Sequence, residues 1–170
     1  VATEVGRTIA SIPFVEHTVA ARLLERHGDD TDGLATGDRI ATLALRPPRQ
    51  GHATVLPAGA VAHVVVALDR DQLIAAAGEP PMAAARNHGD APIADRRLAG
   101  ATVLAQGPDA VASYRRARLE WFALTSAVAA QHPVQHHLAS PDVVRQAQTR
   151  AAVAVYTAEF LDAHQLKTLE

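Results

Sequence analysis

Val61-Ala62-His63-Val64-Val65-Val66-Ala67-Leu68 is the stretch on which the fold turns. Val64, Val65 and Val66 are consecutive β-branched residues, which lose rotamer freedom against a preceding helical turn and pack well on a pleated sheet. Its approaches are punctuated by Pro47, Pro48, Gly51, Pro57 and Gly59. With Arg39–Leu45 and His52–Leu56 it therefore reads as a set of short strands separated by turns. Downstream, Asp71–Ala77 reads equally as a strand end or as one helical turn, and Leu98–Leu104 as a further strand. Between them, Gly78–Asp95 carries Pro80, Pro81, Gly89 and Pro92, the composition of an extended connection crossing a surface.

Helical spacing takes over on both sides of this block. From Glu4 to His27 the apolar residues Val5, Ile9, Ile12, Val15, Val19, Leu23 and Leu24 recur three or four apart. The pattern predicts a short helix, a break at Ser11–Pro13 and a second helix ending near Gly28. Asp29–Gly37, rich in Asp, Gly and Thr, reads as a surface loop with a solvated acidic patch at Asp29, Asp30 and Asp32. Ala110–Ala130 holds no Gly or Pro and is dense in Ala, Arg and Leu, so a long helix is predicted there, interrupted at His132 and Pro133. Ser140-Pro141-Asp142 reads as an N-cap with proline at the first helical position, launching Val143–Leu166.

The expected fold class is thus α+β and mainly helical: N-terminal helices over 1–37, a small antiparallel β middle domain over 38–107 and a C-terminal helical bundle over 108–170. Composition narrows the function classes. The chain has 170 residues and a net charge of −2, with every basic residue except Lys167 and the histidines an arginine. No strong field steers it to nucleic acid or an anionic membrane. The absence of cysteine removes disulfides, thiolate nucleophiles and thiolate metal sites, and fits a reducing cytoplasm. The apolar runs are shorter than a membrane span, and no leader-like segment opens the chain.

Four stretches carry a family resemblance. Glu4-Val5-Gly6-Arg7 followed by Ser11-Ile12-Pro13-Phe14-Val15-Glu16, then Gly37–Leu45, then Pro57–Val66, and finally Pro133-Val134-Gln135-His136-His137-Leu138-Ala139 resemble, in this order, segments of the acyl-CoA dehydrogenase family. The resemblance implies a subunit of N-terminal helices, β middle domain and C-terminal bundle. It also implies FAD, an acyl-CoA thioester as substrate, α,β-dehydrogenation in fatty acid or steroid catabolism, and a homo- or hetero-oligomer of such subunits. The departures are equally specific. Where the family carries a hydroxyl- and carboxylate-bearing loop toward flavin and thioester, this chain has Arg46-Pro47-Pro48-Arg49-Gln50-Gly51. The family's Arg-x-x-Phe-Gly turn has no room between Ala130 and Pro133, and the last bundle helices are missing. Either the subunit is a shortened one, or residues have been joined across absent stretches, which the abrupt step from Gln131 to His132 favours; Leu169-Glu170 reads as the stub of a tag.

Dehydrogenation of an acyl thioester needs a carboxylate to take the alpha proton while a flavin accepts hydride from the beta carbon. In one branch of the family the base sits early in the first long C-terminal helix, and Arg118-Leu119-Glu120-Trp121 falls close to that place. Glu120 is the candidate base on this resemblance; its plain alternative is a solvated helix carboxylate beside Arg116 and Arg118. His132, His136 and His137 lie at helical spacing but lack the HExxH arrangement, so a metal is not expected. Tyr114, Trp121 and Phe122, and Tyr156 with Phe160, read as core aromatics before they read as the wall of a flavin pocket. Thr125 and Ser126 stand outside any nucleophile elbow, and no glycine-rich nucleotide motif is present. Two readings remain: an active FAD-dependent dehydrogenase, or a noncatalytic partner subunit that completes a heteromeric one.

Overall fold

The computed structural model describes residues 13–28, 31–85 and 91–135, of which 129–135 are described by backbone alone. The chain divides into two compact units, Pro13–Arg118, and Val1–Ile12 with Leu119–Glu170. In the first unit, α1 spans Phe14–Arg26 and starts where the proline break was predicted. Proline is suited to the mouth of a helix, where its missing N–H costs nothing, and its carbonyl accepts from His17 N at 3.0 Å. Val15, Val19, Leu23 and Leu24 share one face and are buried. His27 N and Gly28 N fold back onto Leu24 and Glu25 carbonyls, and Gly28 turns the chain at a φ of 68°.

Six strands follow: β1 Ala41–Leu43, β2 His52–Leu56, β3 Val64–Asp69, β4 Gln72–Ala77, β5 Ala94–Arg97 and β6 Thr102–Gln106. They form a four-stranded sheet in the order β1-β3-β4-β6 and a two-stranded ribbon of β2 with β5. Val65 and Ala67 of β3 and Ile74 and Ala76 of β4 point to one face, where they pack against Ala53 and Leu56 of the ribbon, Ala44 and Leu98. The alternate set, Val64, Val66, Leu73 and Ala75, is also buried, and α1 packs against β1 and reaches β3. The central hairpin is covered on both faces, which is why it reads as an unbroken apolar run. A second helix, α2, spans Pro108–Gln135 and buries Ala110, Tyr114 and Ala117.

The expected architecture is corrected by this arrangement. The described residues hold two helices, a mixed four-stranded sheet and a two-stranded ribbon, not N-terminal helices, an antiparallel middle domain and a helical bundle. β1 runs parallel to β3, with Ala41, Thr42 and Leu43 beside Val64, Val65 and Val66. The physical reason lies in the connection: between the two strands the chain turns back through β2 and the 57–63 loop, and so returns alongside β1 in the same direction. The Arg39–Leu45 run yields only a three-residue strand, and the Leu98–Leu104 strand begins at Thr102 after Gly100 turns at a φ of 70°. Asp71–Ala77 resolves as a strand from Gln72 onward. The predicted connection Gly78–Asp95 ends in strand, since β5 starts at Ala94. Nor do His132 and Pro133 interrupt α2, whose backbone stays helical to Gln135. The loss of one backbone bond at Pro133 is offset by the alanine-rich turns before it. The predicted helix before Ser11 and the Val143–Leu166 helix lie outside the described residues.

Candidate functional site

Glu120 lies within α2 and is half-buried. The residue already has an interaction partner. Arg118, two residues earlier, lies with its guanidinium carbon 5.8 Å from the Tyr114 ring centroid, a cation–π arrangement. Tyr114 itself is buried and donates its hydroxyl to the Ala44 carbonyl, just past β1. Burial pushes its phenol up to about 12, partly opposed by the Arg118 charge. Within the second unit, Trp121 and Phe122 meet edge to face with centroids 5.1 Å apart. Thr125 Oγ1 and Trp121 Nε1 are buried without a hydrogen-bond partner. Tyr114 behaves as a core tyrosine; Tyr156 and Phe160, with His136 and His137, lie outside the described residues.

The segment after β1 is the other place where family chemistry was expected. Arg49 N donates to the His52 carbonyl at 2.9 Å and His52 N to the Arg49 carbonyl at 3.0 Å, so the chain closes on itself across Gln50 and Gly51. Both central residues have positive φ, 50° and 73°, the backbone of a type I′ hairpin turn. Arg49 and Gln50 are exposed on it, as is Arg46 before it, and no hydroxyl or carboxylate is available from Arg46 to Gly51. The turn is closed on its own backbone hydrogen bonds and carries none of the hydroxyl or carboxylate groups that the resemblance places there. No step of dehydrogenation is assigned to it.

Three further polar arrangements escape a reading of the sequence. His17 Nε2 donates to the Leu34 carbonyl at 2.9 Å, while its Nδ1 accepts the Ala41 amide at 3.1 Å. His63 Nδ1 accepts the preceding amide, that of Ile40, at 3.1 Å. Two imidazoles from distant positions thus take two successive backbone N–H groups at the start of β1, each through an unprotonated Nδ1. Arg96, on β5, donates to the carbonyls of Gly59, Ala62, Gly78 and Glu79, clamping the 57–63 loop to the end of β4. Burial lowers its basicity below the ordinary arginine range. Thr42, fully buried, donates to the Pro57 carbonyl. These groups hold the sheet, the loop and the ribbon together; Thr42 and His63 are signalled as lone polar residues in apolar runs, whereas His17 and Arg96 stand among other polar residues and carry no such signal.

Among the described residues no group of three or more histidine, aspartate or glutamate side chains could hold a metal ion. No helix among them is long and apolar enough to cross a membrane. Comparison with family models, with curated proteins and with solved structures finds no match for this chain.

Proposed function

We propose that this chain is a noncatalytic partner subunit of a heteromeric acyl-CoA dehydrogenase-type enzyme, and that FAD and the catalytic base belong to the other subunit. The reading rests on the ordered family-like stretches of sequence combined with one observation: the turn Arg49–His52, where the family places its flavin- and thioester-contacting groups, is closed on its own backbone and presents Arg49, Gln50 and His52 in place of hydroxyl or carboxylate groups. FAD, when held by the catalytic subunit, supplies the hydride acceptor. This chain's contribution is structural. Its two-sided central hairpin and the clamps at His17, His63 and Arg96 make a rigid body against which another subunit packs.

Visible absorbance tests the division of labour. The chain purified alone is expected to show no flavin band near about 450 nm, and a band should appear only on co-purification with a dehydrogenase subunit. A yellow protein in isolation overturns the proposal in favour of an active flavoprotein. Glu120→Gln removes a proton acceptor at nearly constant size, so it separates the readings again. Turnover of acyl-CoA by the assembled enzyme should stay within about twofold of the unsubstituted complex; its abolition would make Glu120 the base.

A further inference from the structure

The ribbon carries a row of basic groups that the structural role leaves unused. His52 is paired with Arg97 across β2 and β5, and on its other side with Arg49 across the turn. Because the His52 backbone N–H and C=O both point to Arg49, the His52/Arg97 pair has no hydrogen bond between its own peptide groups. The bond of Leu98 N to the Gly51 carbonyl at 2.8 Å, one residue along, fits that register. Non-hydrogen-bonded pairs bring side chains closest, and directly opposed residues share a face. Arg49, His52 and Arg97 therefore stand side by side, all exposed, in three adjacent backbone lanes.

Like charges directly opposite one another weaken a sheet. The nearest carboxylate on β5, Asp95, accepts the Val55 amide at 2.7 Å through Oδ1. The two guanidinium groups are not paired with a carboxylate among the described residues. His52 Nδ1 is tied to the Gln50 carbonyl at 3.0 Å, which fixes the ring and leaves Nε2 as its outward nitrogen. With strands about 4.8 Å apart, the two arginines flank the imidazole closely enough to converge on one anion above it. Guanidinium forks match phosphate oxygens two at a time.

We infer that Arg49, His52 and Arg97 form a binding site for the phosphate or diphosphate group of a small phosphorylated ligand. The row is only three residues wide and lies on a chain of net charge −2, which suits a compact anion and not an extended polyanion. This inference does not depend on the partner-subunit reading, since it concerns a different surface property of the same ribbon.

Calorimetric titration of the whole chain with inorganic pyrophosphate, at low salt, tests it directly. Binding is expected to be tighter than that of sulfate, to weaken as salt screens it, and to fall about tenfold or more in each of Arg49→Ala and Arg97→Ala. ADP as a second titrant separates recognition of the phosphates alone from recognition of a nucleotide: equal affinity assigns the site to the diphosphate group, and tighter ADP binding, still lost in both variants, assigns it to a nucleotide. The substituted residues are exposed, so melting of the ligand-free variants should match that of the unsubstituted protein. Affinity that is the same for sulfate as for pyrophosphate, or unchanged in the Arg49→Ala/Arg97→Ala double variant, overturns the inference.

Discussion

The β3–β4 hairpin and the β2–β5 ribbon are both antiparallel pairs in one compact unit, and they are built on opposite principles. The hairpin is apolar along both faces and holds regular register from Val64↔Ala77 to Asp69↔Gln72, with Thr102 of β6 donating its hydroxyl to the Ala75 carbonyl. The ribbon buries only Ala53, Leu56 and Ala94, breaks register between Ala53 and Leu56, and holds the β-branched Val55 at a φ of 51° with more than half of that residue exposed. A β-branched side chain in the left-handed region is strained unless its surroundings fix it, and Asp95 does so by binding the Val55 amide. Stability is concentrated in the hairpin, whose strands carry no guanidinium or imidazole group; the ribbon's strands expose His52 and Arg97.

The contrast is broken most severely from the hairpin side. Leu73 is fully buried, and Leu73→Ala leaves a cavity between two covered faces, so denaturant unfolding should report a loss of about 3 kcal/mol. Gly59→Ala attacks the ribbon's seat: a Cβ there would lie 2.6 Å from the Ala94 carbonyl oxygen and 2.9 Å from that of Leu56, both backbone atoms. The ribbon must shift to admit it, and a loss of about 2 kcal/mol is expected, with the hairpin's own amides keeping their protection in hydrogen exchange.

Tyr114→Phe sharpens the comparison by leaving packing intact and stranding the Ala44 carbonyl, at a cost of about 1 kcal/mol in the same denaturation assay. It also alters the alkaline limb. An unfolded tyrosine ionises near pH 10, and Tyr114 near about 12 in the fold, so its neutral form favours the folded state fully below the lower value. That contribution is lost as pH rises from the one to the other; the phenylalanine variant should melt with a flatter dependence across the window. Smallest of all, Thr54→Ala on the exposed side of the ribbon should move stability by less than about 0.5 kcal/mol.

How much of this was legible follows the same division. α1 and β3 are visible because their burial patterns are local: one apolar face every third or fourth residue, and one valine run between turn residues. β4 stayed ambiguous since Leu73-Ile74-Ala75-Ala76-Ala77 neither alternates nor excludes a helix; alanine favours one, and only burial between two layers makes the strand. The parallel pairing of β1 with β3 is a property of the connection, and no residue within either strand encodes it. The acidic candidate Glu120 came from resemblance alone, and the structure gives it a half-buried helix position with a partner already present. The basic row was the least readable feature: Arg97 joins Arg49 and His52 only through strand register, although Gly51 reads as punctuation between strands.

His17 governs what can associate with β1. β1 is the terminal strand of its sheet, and such strands offer backbone groups on which another molecule's strand could grow. The Ile40 carbonyl accepts amides from the β3 side, so Ile40 faces its own sheet and Ala41, the next residue, faces the open border, where its amide is already held by His17. A would-be intruding strand finds that donor occupied by a ring it cannot displace without uncovering α1, so His17 acts as a stopper against sheet-to-sheet polymerisation at that border.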